Sequence, residues 1–291
     1  MTAGSSSPRV ACVGDLVTDV VAHLAAAPRP GTDTPAQIAT YRGGSAANVS
    51  VAVLAAGGVG RFVGCIGTDQ AGDLLLYELS DIGVELSVVR RGNTGTIVVL
   101  VDSTGERSFL TDRGASIDLD AVPPRALDDV DVLHVPGYSF LEGALAETST
   151  QIVRQATERG IAVSISTSSV GALEAFGRER FLELLGELRP DYVIANQAEY
   201  SYLLAGEEAL ATQATVVTNG AAATVARDRD GNEFTTLPDP VSVLDSTGAG
   251  DAFAGGFLVA RGQGLDLEES LRRGNALASQ TLGRPGAQLE D

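Results

Sequence analysis

Residues 245–256, DSTGAGDAFAGG, place four glycines around an acidic residue where a helix is expected to begin. The free backbone N–H groups at a helix N-terminus, together with the helix dipole, stabilise negative charge, and glycines allow an anion to approach the backbone. A carboxylate inside such a site would repel a phosphate group unless it accepts a proton from a nucleophile beside it. The segment therefore predicts an anion site in which Asp251 is the proton acceptor.

The flanking sequence predicts the elements that position this segment. The apolar run VSVL at 241–244 is typical of a strand, and AFAGGFLVA at 252–260 is typical of a helix, so the segment would lie at a strand-to-helix junction. Strand-like and helix-like runs alternate along most of the chain, which predicts a mostly parallel sheet with helices on both faces. We expect one α/β domain that spans residues 1–291.

Two segments interrupt that alternation. Residues 15–41 and 88–114 are rich in strand-forming residues and turn signals, and DSTGE at 102–106 is typical of a hairpin turn. We predict that the two segments together form a small antiparallel β lid attached to the α/β body.

Composition excludes several functions. The net charge of -18 argues against nucleic-acid and anionic-membrane partners, because contacts to phosphate groups need clustered cations. No apolar run reaches the roughly 18 residues of a membrane span, so we expect a cytoplasmic protein. The chain contains no lysine, which excludes a Walker A lysine and a Schiff-base lysine. Any phosphate group must therefore be bound by backbone amides, a metal ion or arginine.

Two motifs together resemble a known family. DSTGAGD at 245–251 is similar to the C-terminal signature of the ribokinase-like, or PfkB, carbohydrate kinases, and GGSAAN at 43–48 is similar to the N-terminal signature. The motifs have the expected order, and the resemblance extends from about residue 10 to residue 287. It implies a ribokinase-like fold, ATP as co-substrate and a small-molecule sugar as the acceptor of the phosphate group.

The resemblance also implies roles within the C-terminal motif. Asp251 would be the general base that removes the proton from the attacking sugar hydroxyl group. The amides of Gly248, Ala249 and Gly250 would form the anion hole for the transferring γ-phosphate. Because phosphoryl transfer depends mainly on positioning and charge neutralisation, this arrangement needs no lysine.

The N-terminal motif and the lid would supply the sugar site. Asp19 in GDLVTD resembles the family aspartate that binds substrate hydroxyl groups, and we expect it just after a strand. Gly43, Gly44 and Asn48 would lie against the sugar, because glycines permit close approach and an amide both donates and accepts hydrogen bonds. Arg107 in the lid is a further candidate, either as a contact to a carboxylate or phosphate group on the substrate or as a surface residue.

Other matches imply a metal and nucleotide site. NQAE at 196–199 resembles the family motif linked to magnesium and phosphate binding, with Asn196 on the nucleotide side and Glu199 acting on a hydrated Mg²⁺. Asp245 matches an acid near the monovalent-cation site of some relatives, so K⁺ is a further candidate cofactor. The remaining nucleotide-binding candidates are Thr218, Gly220 and Asn275, with Gly286 and Ala287 near the adenine.

Two other functions remain open. A nucleoside kinase of the same fold would need aromatic side chains to contact the nucleobase. The candidates near the expected substrate cleft on the lid side are Tyr41, Phe109, Tyr138 and Phe140. A non-catalytic sugar- or nucleotide-binding regulator would not need the base Asp251. Ser45 stands where ribokinases often have lysine, which argues against D-ribose itself as the substrate. A homodimer formed through the lid is a further expectation.

Overall fold

The structure, a computed structural model, describes residues 7–204, 210 and 212–283. The described chain contains one sheet of nine strands and a second sheet of four. No helix within the described ranges combines the length and the apolar character that crossing a membrane requires.

The nine-stranded sheet forms the body. Its strands are β1 (Arg9–Val13), β4 (Val59–Ile66), β5 (Glu85–Arg90), β8 (Val132–Pro136), β9 (Ala162–Ser166), β10 (Tyr192–Asn196), β11 (Ala214–Thr218), β12 (Thr224–Asp228) and β13 (Glu233–Thr236). They are ordered β13-β12-β11-β10-β9-β8-β1-β4-β5. All pairings in the order from β5 to β11 are parallel, and only the β11–β12 and β12–β13 pairs, at one side of the sheet, are antiparallel. The predicted mostly parallel sheet is confirmed.

Eight helices cover this sheet in the described part of the chain. They are α1 (Ser45–Ala55), α2 (Gln70–Asp81), α3 (Gly143–Glu158), α4 (Val170–Phe176), α5 (Arg178–Leu188), α6 (Gln197–Leu203), α7 (Ala249–Gly262) and α8 (Leu267–Thr281). Alternate residues of β1 enter two different cores: Val10 and Cys12 pack with α1, α2, α7 and α8, whereas Ala11 and Val13 pack with α3 and α5. Since successive strand residues point to opposite faces, helices lie on both faces of the sheet, as predicted.

The four-stranded sheet corresponds to the predicted lid. It comprises β2 (Val17–Leu24), β3 (Ala36–Gly43), β6 (Thr94–Val101) and β7 (Arg107–Gly114), in the order β3-β2-β6-β7. The β2–β3 and β6–β7 pairs are antiparallel, as expected, but β2 and β6 are parallel. The parallel pairing arises because β2 follows β1 and β6 follows β5, so both strands leave parallel strands of the body.

One predicted strand is wrong. The segment 241–244 before the glycine-rich motif has no strand conformation, and its Val243 and Leu244 side chains are 62% and 69% exposed. Two prolines, Pro238 and Pro240, precede it, and proline cannot donate a hydrogen bond to a neighbouring strand. The motif therefore lies between an exposed loop and a helix, not between a strand and a helix.

Candidate active site

Helix α7 begins at the glycine-rich motif. Gly248 precedes the helix in a left-handed conformation with φ of 76°, which favours glycine, and Ala249 and Gly250 are the first two helical residues. Asp251 lies in the first turn. The Ala249 N–H group donates to the Ser246 carbonyl oxygen at 3.3 Å. The predicted helix N-terminus is confirmed, with Asp251 on its first turn.

Two residues of α1 hold the carboxylate of Asp251. Ser45 Oγ donates to Asp251 Oδ1 at 2.6 Å, and Asn48 Nδ2 donates to Asp251 Oδ2 at 3.2 Å. Burial raises the pKa of Asp251 to about 6, and the hydrogen bonds from Ser45 and Asn48 oppose that rise. A carboxylate with this pKa is ionised at neutral pH and binds a proton more readily than an ordinary aspartate.

A cavity of about 320 Å³ opens beside this carboxylate. Its lining includes six of the predicted residues: Asn196, Glu199, Thr218, Gly248, Gly250 and Asp251. It also includes Ser45, Tyr138, Ser166 and Ser168, which come from three different segments of the body. The motif at the start of α7 and the ends of β9, β10 and β11 thus meet around one cavity, as the carboxyl ends of parallel strands do in open α/β sheets.

Glu199 is held rigidly at the wall of this cavity. Its Oε2 accepts from Asn196 N at 2.9 Å and from Thr167 Oγ1 at 2.5 Å, and its Oε1 accepts from Asn196 Nδ2 at 2.6 Å. Asn196 Oδ1 accepts from Glu199 N in return, which completes a capping box at the start of α6. Glu199 is only 5% exposed, and these bonds fix the position of its carboxylate.

The donor set fits a hydrated Mg²⁺ better than an ion enclosed by protein. In the described residues, no three His, Cys, Asp or Glu side chains cluster to hold a metal ion. Magnesium commonly keeps several water molecules and binds one or two carboxylates together with substrate phosphates. Glu199, a carboxylate residue that lines the cavity, has the chemistry for a contact of this kind.

Asp19 lies in the lid, inside β2 and not after a strand as expected. Its Oδ1 is buried and accepts no hydrogen bond from the described residues, and burial raises the pKa of this carboxyl group to about 6. Asp19 pairs with Tyr41, two residues before Gly43. A Cβ atom at Gly43 would lie 2.3 Å from the Asp19 carboxylate, so the glycine is required for the carboxylate to occupy this space.

Gly44 and Asn48 follow the lid strand β3 in the chain, at and just after the start of α1. Gly44 precedes α1 with φ of 100°, and a Cβ atom there would lie 2.2 Å from the Asp15 carbonyl oxygen. The glycine therefore brings the first turn of α1 against the end of β1. Asn48 is 9% exposed, and its Oδ1 has no hydrogen-bond donor among the described residues. Asp19 and Asn48 thus each present a buried polar oxygen that still has capacity for a hydroxyl donor.

Arg107 contacts the C-terminal motif. Its Nη2 donates to Asp245 Oδ1 at 2.7 Å, and its Nη1 donates to Thr247 Oγ1. Strand pairing puts Arg107 on the same face of the lid as Asp19, because Arg107 pairs with Val101 and Asp19 pairs with Ile97 on β6. Arg107 therefore faces the cleft, with its guanidinium bound to the loop before α7.

Three of the predicted nucleotide residues lie in different settings. Thr218 lines the cavity, whereas Gly220 is exposed in the turn that follows, with φ of 55°. Asn275 is 6% exposed; its Oδ1 accepts from Thr224 Oγ1, and its Nδ2 donates to Thr236 Oγ1. The Asn275 amide thus holds α8 against β12 and β13, and its expected contact with a nucleotide is not supported by this geometry. Gly286 and Ala287 lie outside the described residues.

The sequence did not single out Ser45 and Thr167 as partners of the two acids. Ser45 is the first residue of α1, where a hydroxyl group is common, so only its bond to Asp251 reveals the role. Of the aromatic candidates, Tyr138 lines the cavity and Tyr41 and Phe109 share the cleft face of the lid. Phe140 is 3% exposed and belongs to the core, so its expected place in the cleft is wrong.

Comparison with known proteins shows the family to which the chain belongs. Residues 7–291 match the pfkB family carbohydrate kinases. The chain is 30% identical to the ATP-dependent ribose-1-phosphate kinase of Halopiger xanaduensis, over 89% of this chain and 87% of that protein. It is 30% identical to the adenosine kinase of Schizosaccharomyces pombe, over 78% of this chain and 75% of that protein. Its structure matches a fructokinase with bound ATP from Xylella fastidiosa, with a TM-score of 0.83, 26% identity and coverage of 97% and 94%.

These matches cover nearly the whole chain and confirm both the expected fold and the resemblance of the two signature motifs. The chain belongs to the pfkB family of carbohydrate kinases and is an ATP-dependent carbohydrate kinase.

Proposed function

We propose that this chain transfers the γ-phosphate of ATP to a hydroxyl group of a sugar, a sugar acid or a sugar phosphate, with Asp251 as the general base. One observation carries the proposal: Asp251, with a pKa raised to about 6, lies on the first turn of α7 beside a cavity that Glu199 also lines. A base and a helix N-terminus at one cavity match the two needs of phosphoryl transfer to an alcohol, proton removal and charge stabilisation.

The bond changes in this reaction are simple. The substrate hydroxyl oxygen forms a bond to the γ-phosphorus while the bond from that phosphorus to the β–γ bridging oxygen breaks, and ADP leaves with the electron pair. The hydroxyl proton passes to Asp251, which Ser45 and Asn48 hold in place. The amides of Gly248, Ala249 and Gly250 stabilise the charge on the transferring group, and the Ala249 N–H exchanges its long bond to Ser246 for this contact.

Glu199 and Asn196 are the residues proposed for the magnesium side. Mg²⁺, when bound with ATP, neutralises charge on the phosphate groups. Glu199 would hold the water shell of the ion, because its carboxylate is fixed by the capping box and by Thr167. Thr218 would border the nucleotide, and Gly220 follows it at the same strand end. K⁺ near Asp245 remains a proposal, although Arg107 already supplies a positive charge to that carboxylate.

The acceptor is proposed from the polar groups of the cleft. Asp19 Oδ1 and Asn48 Oδ1 are buried acceptors that suit sugar hydroxyl groups. A site built for hydrogen bonds rejects analogues that lack the hydroxyl group by factors of roughly 10⁴–10⁵. The relative named as a ribose-1-phosphate kinase supports a sugar that carries a phosphate group.

A nucleoside kinase is the second candidate. The relative named as an adenosine kinase supports it, and Tyr41 and Phe109 on the cleft face of the lid offer aromatic surface. A stacked base contributes about 1–3 kcal/mol. A non-catalytic regulator is less well supported, because binding alone needs no carboxylate with a raised pKa at the helix N-terminus.

A substrate panel tests the proposal. ADP formation from ATP and Mg²⁺ would be measured with free pentoses and hexoses, sugar acids, pentose and hexose phosphates, and the nucleosides adenosine, inosine and cytidine. We expect the best sugar compound to exceed every nucleoside in kcat/KM. A nucleoside as the best substrate would reject the sugar assignment, and no ADP formation with any member would reject catalysis on this panel.

We also propose that the chain is a cytoplasmic enzyme and forms a homodimer through the outer face of the lid. Ile38 and Leu110 are 67% and 59% exposed, and strand pairing puts them on the face opposite Asp19. Ile38→Glu with Leu110→Glu should convert a dimer to a monomer in sedimentation velocity. A wild-type chain that sediments as a monomer would reject the dimer.

A further inference from the structure

Strand β7 is attached to the body at both ends by arginine ion pairs. Near its C-terminal end, Arg113 binds both carboxylate oxygens of Asp15, at 2.7 and 3.0 Å, just after β1. At its N-terminal end, beside the hairpin turn of the lid, Arg107 binds Asp245. The first ion pair lies where the lid joins the body, whereas the second connects the lid to the loop before α7.

The second contact converges on a single oxygen atom. Asp245 Oδ1 accepts from Arg107 Nη2 at 2.7 Å, from Thr247 N at 2.8 Å and from Thr247 Oγ1 at 2.7 Å. Arg107 Nη1 donates to the same Thr247 hydroxyl group. Thr247 is followed directly by Gly248, the N-cap residue that precedes α7. The guanidinium thus fixes the backbone immediately before the helix N-terminus.

We propose that Arg107 is a positioning residue that couples closure of the lid to the shape of the anion site at α7. With the lid closed, the Arg107–Asp245 pair orders Thr247 and so aims the N–H groups after it. The two side chains are 33% and 19% exposed, and partly exposed ion pairs are weak enough to open and reform during turnover. This role rests on the proposed kinase reaction at α7.

The competing role is direct contact with the substrate. If Arg107 binds an anionic group of the substrate, its loss raises KM for substrates with that group, and Asp245 has no share in the effect. If Arg107 acts through Asp245, loss of either residue disorders the same loop. The two roles therefore differ in whether the effects of the two substitutions overlap.

The first test needs no substrate. Hydrogen exchange of the segment 244–248 would be followed by mass spectrometry in the wild type, Arg107→Gln, Asp245→Asn, the double variant and Arg154→Gln. Arg154 is a matched control, since it forms an ion pair with Glu187 between α3 and α5. We expect faster exchange in both single variants, no further increase in the double variant, and wild-type exchange in the control. Wild-type exchange in Arg107→Gln would overturn the proposal even if the chain is an active kinase.

The second test uses turnover on the best substrate of the panel. Arg107→Gln and Asp245→Asn should each lower kcat by about 10-fold to 100-fold, the range expected for misplaced catalytic groups, with smaller changes in KM. The double variant should be no slower than the slower single variant. Arg107→Lys should recover part of the lost kcat, because lysine keeps the positive charge but cannot form the bidentate contact. A loss of kcat in the double variant that equals the product of the two single losses would overturn the positioning role. A change confined to KM in Arg107→Gln would overturn it as well.

Discussion

Ser45 Oγ lies 2.6 Å from Asp251 Oδ1 and joins two motifs that are 206 residues apart in the chain. Ser45 begins α1 and Asp251 lies in the first turn of α7, so the bond sets the N-termini of two helices beside one another. Both helices pack in the same core. The carboxylate of the base is therefore held by a helix of the body and not by a side chain of the lid.

Replacement of the base gives the first prediction. Asp251→Asn should lower kcat by about 10²–10⁴-fold, the usual range for loss of a general base, while the fold is retained. The amide can accept from Ser45, and Asn48 can turn its unbonded Oδ1 towards the new NH₂ group. Steady-state kinetics with a thermal melt would measure both effects. Asp81→Asn, at an exposed position in α2, is the control, and a near-normal kcat in Asp251→Asn would remove this residue from the mechanism.

The pH dependence of activity is the second prediction. Because Asp251 must be ionised to accept a proton, kcat/KM should rise with pH through about 6 and then level off. The hydrogen bond from Ser45 lowers the pKa of Asp251, so Ser45→Ala should move this rise to higher pH. Profiles for the two proteins between pH 5 and 9 would show the shift. An unchanged or acid-shifted profile in Ser45→Ala would contradict the assignment of the titrating group.

Magnesium dependence is the third prediction. Activity should require Mg²⁺ or Mn²⁺, and Glu199→Gln should raise the metal concentration needed for half-maximal activity, because a neutral amide holds a hydrated cation less strongly. Glutamine is accepted at this position of a capping box, so α6 should remain folded. Titration of activity with metal would be compared for the wild type, Glu199→Gln and Glu183→Gln, whose side chain is exposed on α5. Full activity in excess EDTA would refute the requirement.

The sequence was sufficient to predict those parts of the site that depend on local order. Glycines at Gly43, Gly44 and Gly248 have direct consequences for the backbone around them, and the alternation of apolar runs predicts the parallel sheet. Both features depend on residues that are close together in the sequence. The start of α7, the β lid and the position of Asp251 could therefore be found without coordinates.

Contacts between side chains that are distant in sequence could not be predicted from the sequence. Asn275 is separated from Thr224 and Thr236 by 51 and 39 residues, so its use between α8 and two edge strands has no local signal. Arg107 is 138 residues from Asp245, and no residue near either of them in the sequence indicates that they form an ion pair. The strand predicted at 241–244 failed for a related reason, because apolar residues do not form a strand without a neighbouring strand to pair with.

Replacement of Asp19, the acid in the lid, gives the fourth prediction, which concerns the choice of substrate. Asp19→Ala should lower kcat/KM for the best sugar compound far more than it lowers affinity for ATP, because Asp19 lies on the lid and Oδ1 is free to accept from a hydroxyl group. The best sugar compound should itself exceed adenosine, inosine and cytidine by at least about tenfold in kcat/KM, or ~1.4 kcal/mol. Kinetics on the panel and ATP titrations would measure these differences.

The same substitution should stabilise the protein at high pH. Burial raises the pKa of Asp19 to about 6, above the ordinary value of 3.8, so the folded state binds the proton more tightly than the unfolded state does. The free energy of unfolding that this group contributes is therefore largest below about pH 4 and falls as the pH rises to 6. Asp19→Ala should melt at a higher temperature than the wild type at pH 8, and the difference should vanish near pH 4. Asp33→Ala, exposed between β2 and β3, is the control. A lower melting temperature at pH 8, together with unchanged kcat/KM for sugars, would show that Asp19 is a structural residue of the lid.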